Sequence, residues 1–311
     1  MSEKRISNRE YVVAIAFALL SALSLAVTNL FAKQLTSATG IYLAVFLRFF
    51  APFLLAAWIT LAFMKQRPSF SDWPVHLLRS VFTFGAQLCL FLYLVQGSVL
   101  MGTLLFSTSG LFLPFITYVL FGVEIRRRHL LAIAVSFVGV AIALNPVVDF
   151  HWIMAIGLLA GLLNAGTQAS MHHLSKEVDA LSASTIMFGI CSLFGVCLLI
   201  GLGDINALMR LASFERLSAG HLFAILVLFS IASMSNQAFR SKAFQIVRKP
   251  SSITPFLFVS IVFAGGLDWW VYGIVPAPNV YAGTALIVGG GLIMTHRSLP
   301  PNDSEASPKA G

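Results

Sequence analysis

Along the chain, long apolar runs alternate with short charged or Pro/Gly-rich breaks. The clearest case lies between Leu100 and Pro146. There two apolar runs, 100–123 and 130–144, flank the charged knot Glu124-Ile125-Arg126-Arg127-Arg128-His129. A soluble helix leaves one polar face toward water, and neither run has such a face. At 1.5 Å per residue, runs of this length are of the order needed to cross a ~30 Å hydrocarbon layer. The knot therefore predicts a tight turn at a membrane surface, and its three arginines mark that surface as cytoplasmic.

The same reading predicts ten spans, over residues 11–32, 41–64, 75–96, 99–122, 129–147, 152–171, 181–202, 221–241, 253–275 and 279–295. Residues 1–10 read as a short basic cytoplasmic tail. The run that follows continues for about twenty residues without a small-x-small cleavage site, which predicts a retained first helix rather than a signal peptide. Residues 298–311 are polar and Pro-containing, the composition of a disordered tail.

Composition narrows the class. Of 311 residues, 58% are hydrophobic and 10% charged, where a soluble domain carries roughly a quarter charged. Mean hydropathy is +0.87. The net charge of +8 does not signal nucleic acid, because the basic residues sit in short inter-helix turns and form no stripe. Cys89, Cys191 and Cys197 fall inside apolar runs at no metal or disulfide spacing, and read as reduced packing residues. With the N-terminus inside, fifteen of the twenty Lys and Arg fall on inside segments. Lys33, Arg210 and Arg216 fall outside, and Arg48 and Arg79 fall within spans. That bias predicts a multi-pass protein of the cell inner membrane with both termini cytoplasmic.

The chain also repeats itself. Ala26-Val27-Thr28-Asn29 matches Ala165-Gly166-Thr167-Gln168 at an offset of 139, and Gly122 and Gly139 match Gly273 and Gly290 at 151. The difference fits the longer outer loop at 203–219. Each half then holds five spans, and an odd number makes the second half enter from the opposite side. The predicted fold is all-α and integral to the membrane, with ten transmembrane helices as two inverted-topology five-helix repeats, 11–147 and 152–297. Transporters are built this way, with substrate held between the halves near the midplane.

A family resemblance rests on Asn29 to Lys33 (NLFAK), Arg48 in Leu47-Arg48-Phe49, Pro114, Gly122-Val123-Glu124 and Gly139. In the second half it rests on Tyr272-Gly273-Ile274-Val275-Pro276 and Gly283-Thr284-Ala285-Leu286-Ile287. In their order these resemble the drug/metabolite transporter superfamily, EamA type, over about residues 11–297. The resemblance implies an inner-membrane carrier, often an exporter of amino acids or other small metabolites, with some relatives importing S-adenosylmethionine or riboflavin. It also gives Pro114, Gly122 and Glu124 a structural part in the hairpin turn. One departure stands out: where the second repeat of the family carries Glu, this chain has Ile274, and Asp268 stands six residues earlier.

Ionisable residues within a bilayer cost at least ~2.5–3.5 kcal/mol each, so they face a bundle interior or a water-filled cavity. Arg48 and Asp268 are expected at similar depth on helices of different repeats. They are read either as a substrate clamp or gate, or as a permanent structural pair. As a gate, Asp268 would take up a proton when parted from Arg48, which makes the proton a candidate coupling ion. Arg79, four residues into its span, is expected to snorkel to the interface, and Glu124 to pair with the adjacent arginines. Asn29, Gln87, Asn164, Gln168, Asn236 and Gln237 are amides at mid-span, either helix glue or the lining of a cavity at the pseudo-two-fold. Trp269 reads as a belt residue or a stacking surface for substrate, Trp270 as belt. Pro114 and Pro255 are expected to kink their helices, and Gly157-x-x-x-Gly161 to allow close packing.

These observations predict a secondary transporter, not an enzyme, that moves a small polar or amphipathic, amino-acid-like metabolite by alternating access. Export is the leading direction and import the alternative. No GxxxxGK[ST] loop supplies ATP drive. An intramembrane enzyme is the rival of another class, but His172-His173 lacks the HExxH pattern and no GxSxG occurs. No cofactor or metal is expected. The expected partners are a small-molecule substrate and membrane lipid, without nucleic acid, in a monomer or homodimer.

Overall fold

The structure, a computed structural model, describes residues 8–63, 72–122, 127–144, 152–201, 219–247 and 253–295. Every regular element among them is helical: α1 (Asn8–Thr39), α2 (Ile41–Phe63), α3 (Trp73–Leu94), α4 (Val99–Ser107), α5 (Ser109–Phe121), α6 (Arg127–Leu144), α7 (Trp152–Leu174), α8 (Ala180–Gly201), α9 (Ala219–Ile246), α10 (Thr254–Leu257), α11 (Val259–Tyr272) and α12 (Pro278–Thr295). Among the described residues, seven stretches are long and apolar enough to cross a membrane, with α4 and α5 together counting as one. The hairpin knot with Glu124, the loop at 203–219 and both tails lie wholly or mostly outside the described residues.

Side-chain exposure is inverted relative to a water-soluble bundle. Val119, Leu193, Phe223 and Trp270 are 73%, 65%, 68% and 80% exposed, while arginines and amides are buried. Large exposed apolar surface of this kind is stable against lipid, and helices satisfy their backbone groups internally where no water can.

Three observations fix how the helices pack. α1 lies along α9, α3 along α7, α2 along α8 and α6 along α12. Phe49, Phe91, Phe188 and Phe229, from four different helices, are fully buried in one central apolar cluster. A second cluster joins α4, α5, α6, α11 and α12 through Leu104, Leu111, Val140, Ile261 and Ile287. At the α6–α12 crossing the backbones nearly touch: a methyl group on Gly139 would come within 2.7 Å of the Gly283 carbonyl oxygen.

Two spans are broken, and not where proline predicts. The fourth span breaks at Thr108, six residues before Pro114, which sits inside α5. The Thr108 N–H is shared between the Leu104 and Leu105 carbonyls, both at 3.2 Å, and its hydroxyl donates to Leu105 O at 2.6 Å, tightening the last turn. The ninth span breaks at Phe258, between α10 and α11. Pro255 lies in the first turn of α10, where an N–H is not required. α7 presses on the first of these breaks through its glycine pair, as expected. Gly157 packs on Leu105, and a Cβ on Gly161 would collide with Thr108 Oγ1 and the Leu105 carbonyl. Gly122 and Gly273 close α5 and α11 in the left-handed region, both at φ 67°, where an L side chain is strained.

Three helices overrun their expected ends. α1 continues past residue 32 to Thr39, α7 past residue 171 to Leu174, and α9 past residue 241 to Ile246. Two basic residues counted by sequence with the charges facing water are taken up inside the bundle. Lys33 Nζ donates to the Gly97 carbonyl at 3.0 Å, and Arg240 is only 6% exposed.

Gly161→Val should lower the thermal stability of the purified protein by about 1–3 kcal/mol, because backbone faces the new side chain. Gly266→Ala, which meets open space, should leave the unfolding temperature unchanged. Equal losses in the two variants would contradict the packing at the break.

Candidate functional site

A polar centre is enclosed by α2, α3, α4, α7 and α9. Arg48, Gln87, Asn164, Gln168, Asn236, Gln237 and Arg240 line it, together with Thr83 and Thr167. The space among them is only about 10 Å³, close to the least that holds one water. A second small cavity shares Asn164, Gln168 and Arg240 and reaches the broken helices at Ser107, Ser109 and Phe258.

The lining groups hold one another. Arg48 Nε donates to Gln87 Oε1 at 3.0 Å, another of its nitrogens donates to Ser233 Oγ, and the guanidinium lies over the Phe229 ring at 4.9 Å. Asn164 Nδ2 and Gln168 Nε2 both donate to Ser109 Oγ, at 3.0 and 2.6 Å, tying α7 to the first turn of α5. Ser21 Oγ donates to Asn236 Oδ1 at 2.8 Å and accepts from Arg240 Nε at 3.3 Å. Gln168 Oε1 is buried without a partner.

Six of the nine residues read from the sequence as cavity-lining therefore come together here. The other three do not. Asn29 is 1% exposed but donates to Thr103 Oγ1 at 2.9 Å, gluing α1 to α4 outside the cavity. Trp269 is 63% exposed and lines an apolar surface groove of about 770 Å³ between α11 and α12. That groove is the more voluminous of the two, yet it faces outward and is lined almost wholly by apolar residues. The polar centre is the better candidate for chemistry.

Asp268 is the third, and its expected partnership with Arg48 is not formed. It is fully buried, and its Oδ2 accepts from the Leu100 N–H at 2.6 Å. Leu100 belongs to the first turn of α4, where amide groups lack intrahelical acceptors. Ser98 Oγ takes the Met101 N–H at 3.1 Å, so the two side chains divide the exposed donors of that turn. Asp268 is thus an N-cap supplied by a different helix, in a place where the helix dipole favours a negative charge. Lys33 is the cation whose charge reaches it. Its Oδ1 has no hydrogen-bond partner.

Two further arginines depart from expectation. Arg79 does not snorkel: it is 1% exposed and donates to Ala183 O at 3.3 Å and Gln237 Oε1 at 3.2 Å. α7, α8 and α9 wall off its end of α3, leaving no path to the interface. Arg240, counted by sequence with the inside charges although it falls near the end of a predicted span, is a lining residue. The signal was present, since Asn236 and Arg240 are one helical turn apart and share a face. Outside the spans, Lys176 donates to the carbonyls of Phe244, Gln245 and Val247 at 2.8–3.0 Å, capping the end of α9. Burial lowers its ammonium from the usual lysine range. Nearby, His173 Nε2 lies 3.6 Å from Asp72 Oδ2, and a hydrogen bond to Asp72 raises the Glu177 carboxyl.

Chemically, the centre offers guanidinium, amide and hydroxyl groups. Its lining includes no histidine, cysteine or carboxylate. Such a set binds polar groups through hydrogen bonds and positive charge.

Residues 12–145 match the EamA-like transporter family. The first half of the chain is thus similar to an EamA-like unit, as the motifs in that half implied, and the long apolar helices mark a multi-pass membrane protein. No curated protein matches the chain. A solved structure described as "Crystal structure of protein" is similar in fold, with a TM-score of 0.61 at 17% identity, covering 91% of this chain and 96% of that one. At that identity the likeness concerns the fold alone.

A double-mutant cycle tests the separation of Arg48 from Asp268. Asp268→Ala should cost about 1–2 kcal/mol through the lost cap, and Arg48→Ala should add to it with a coupling below about 0.5 kcal/mol. A coupling of 1 kcal/mol or more in thermal unfolding would restore the pair.

Proposed function

We propose that the protein is a secondary transporter that carries a small polar metabolite through the polar centre by alternating access. The observation that carries this reading is a closed, water-sized polar space at the meeting of helices from both halves of an apolar bundle. A rigid, permanently closed pocket would pass nothing. The breaks at Thr108 and Phe258, with α7 pressed on the first, are where the fourth and ninth spans can bend to open it on one side or the other.

The two halves act as inverted five-helix repeats, 11–147 and 152–297. Exchanging the halves turns the α1–α9 packing into α7–α3, and the α1–α11 packing into α7–α5; all four are present. The same exchange relates the left-handed glycines Gly122 and Gly273, and the two helix breaks. Charge supports both termini on the cytoplasmic side of the inner membrane, with Arg240 removed from the inside count. Export is the direction taken, driven by an ion gradient or by the substrate's own gradient. Arg48, Gln87, Asn164, Gln168, Asn236, Gln237 and Arg240 form the substrate site.

Purified protein in liposomes loaded with a metabolite mixture should exchange labelled substrate across the bilayer, and Gln168→Leu should reduce that exchange at least about tenfold. Product formation without flux would replace the transporter reading with an enzyme. A periplasm-active reporter joined after Thr295 should be silent, and one within 203–218 active. The reverse pattern would overturn the topology.

A further inference from the structure

From the charges around the polar centre, given that it is the transport site just proposed, we infer that the substrate is an organic anion, a metabolite bearing carboxylate or phosphate groups, rather than an amino-acid-like zwitterion. Three guanidinium groups converge there. Arg48 and Arg240 line the space directly, and Arg79 stands behind Gln237, whose Oε1 it holds. They come from α2, α9 and α3 and are 3%, 6% and 1% exposed. A guanidinium does not shed its proton in a protein, so three positive charges remain inside the bundle.

Among the described residues no carboxylate balances that charge. Of its twelve acidic residues, Asp268 alone falls within a predicted span. That carboxylate is occupied in capping α4 beside Lys33. Among the described residues no carboxylate forms an ion pair with any of the three arginines, and the partners found for them are amide, hydroxyl and carbonyl oxygens and aromatic faces. Neutral acceptors solvate a buried cation only partly, and an uncompensated buried charge is strongly unfavourable. A bound oxyanion supplies both the missing charge and the paired acceptors that a guanidinium fork fits.

The same inventory disfavours an ammonium group. A zwitterion needs acceptors or a carboxylate for its cationic end. Here the amide oxygens of Gln87, Gln237 and Asn236 are already engaged by Arg48, Arg79 and Ser21, and Gln168 Oε1 is the one lining acceptor found without a partner among the described residues. A single neutral acceptor does not match the three donors of an ammonium, which would stand among guanidinium groups as well. Opening of the broken helices must enlarge the space before a multi-atom anion fits, so binding and conformational change are coupled.

The test uses the full-length protein. In detergent, succinate, citrate and glycerol 3-phosphate are compared with leucine and lysine by thermal stabilisation. The same five are then compared as competitors and counter-substrates in proteoliposomes. One or more of the anions should raise the unfolding temperature, and leucine and lysine should not. A preference for succinate or citrate assigns the site to carboxylates, and a preference for glycerol 3-phosphate to phosphate esters. Arg240→Gln should weaken the preferred anion at least about tenfold, and Arg240→Lys should recover part of the loss. Should Arg240→Gln fail to give a monodisperse protein, the wild-type competition series decides alone. Stabilisation by leucine or lysine above that of every anion, or none by any anion, overturns the inference, as does an Arg240→Gln protein with unchanged anion affinity. Anion binding without counterflow would leave this site standing and remove the transport reading. Counterflow of leucine or lysine in preference to the anions would do the opposite.

Discussion

Charge that cannot be shed must be solvated from within, and this constraint organises the protein. Arg48, Arg79 and Arg240 are each buried in a bundle whose outer surface is apolar, in a medium that offers no water to correct a poor arrangement. Polar groups meet each of them: Gln87 and Ser233 at Arg48, Gln237 and the Ala183 carbonyl at Arg79, Ser21 at Arg240. Because these partners sit on α1, α3, α8 and α9, solvating the three cations also fixes how those helices meet. The polar centre is thus a cross-link as well as a cavity. Its amides act both as glue and as lining, two roles that only appear to compete.

The same accounting explains the helix ends. A broken helix exposes amide and carbonyl groups, and in lipid each must find a partner. At the start of α4 the exposed N–H groups go to Asp268 and Ser98. At the start of α5, Ser109 is held through its hydroxyl by Asn164 and Gln168. The second case places the mechanics of the fold inside the polar centre. A ligand that drew Asn164 or Gln168 toward itself would loosen the grip of α7 on the break at Thr108. Site occupancy and helix bending then share the same hydrogen bonds, which is how differential contacts bias one state over another.

Asp268 illustrates why depth along a helix is weak evidence for pairing. It and Arg48 sit at matching distances from the ends of their spans. Depth, however, constrains one coordinate of three. The azimuth of each residue around its helix decides the partner, and that azimuth follows from packing. α11 turns Asp268 toward α4, where a helix N-terminus is at hand, and α2 turns Arg48 toward α3 and α9.

Much of the fold is legible in the sequence, because lipid imposes one-dimensional rules. A segment must be about twenty apolar residues long to cross, must bond its own backbone, and must place its charged connections by side. Those rules locate the helices, as the described segments from Ile41 to Gly201 follow the expected runs closely, and they single out most of the lining amides. What they cannot supply is rotation and neighbourhood. Arg240 reads as one of the inside charges until the packing of α9 turns it inward. Arg79 reads as a snorkelling residue until three helices close around it. Trp269 reads as a lining residue until α11 faces it outward. The breaks at Thr108 and Phe258 have no proline at the point of breaking, and the first owes its position to a hydroxyl that bonds its own turn and to a glycine face that presses on it. Sequence alone determined that this chain crosses a membrane as apolar helices with a few costly polar groups between them. Tertiary packing decided which of those groups meet, because burial and hydrogen bonding are settled by neighbours distant in the chain.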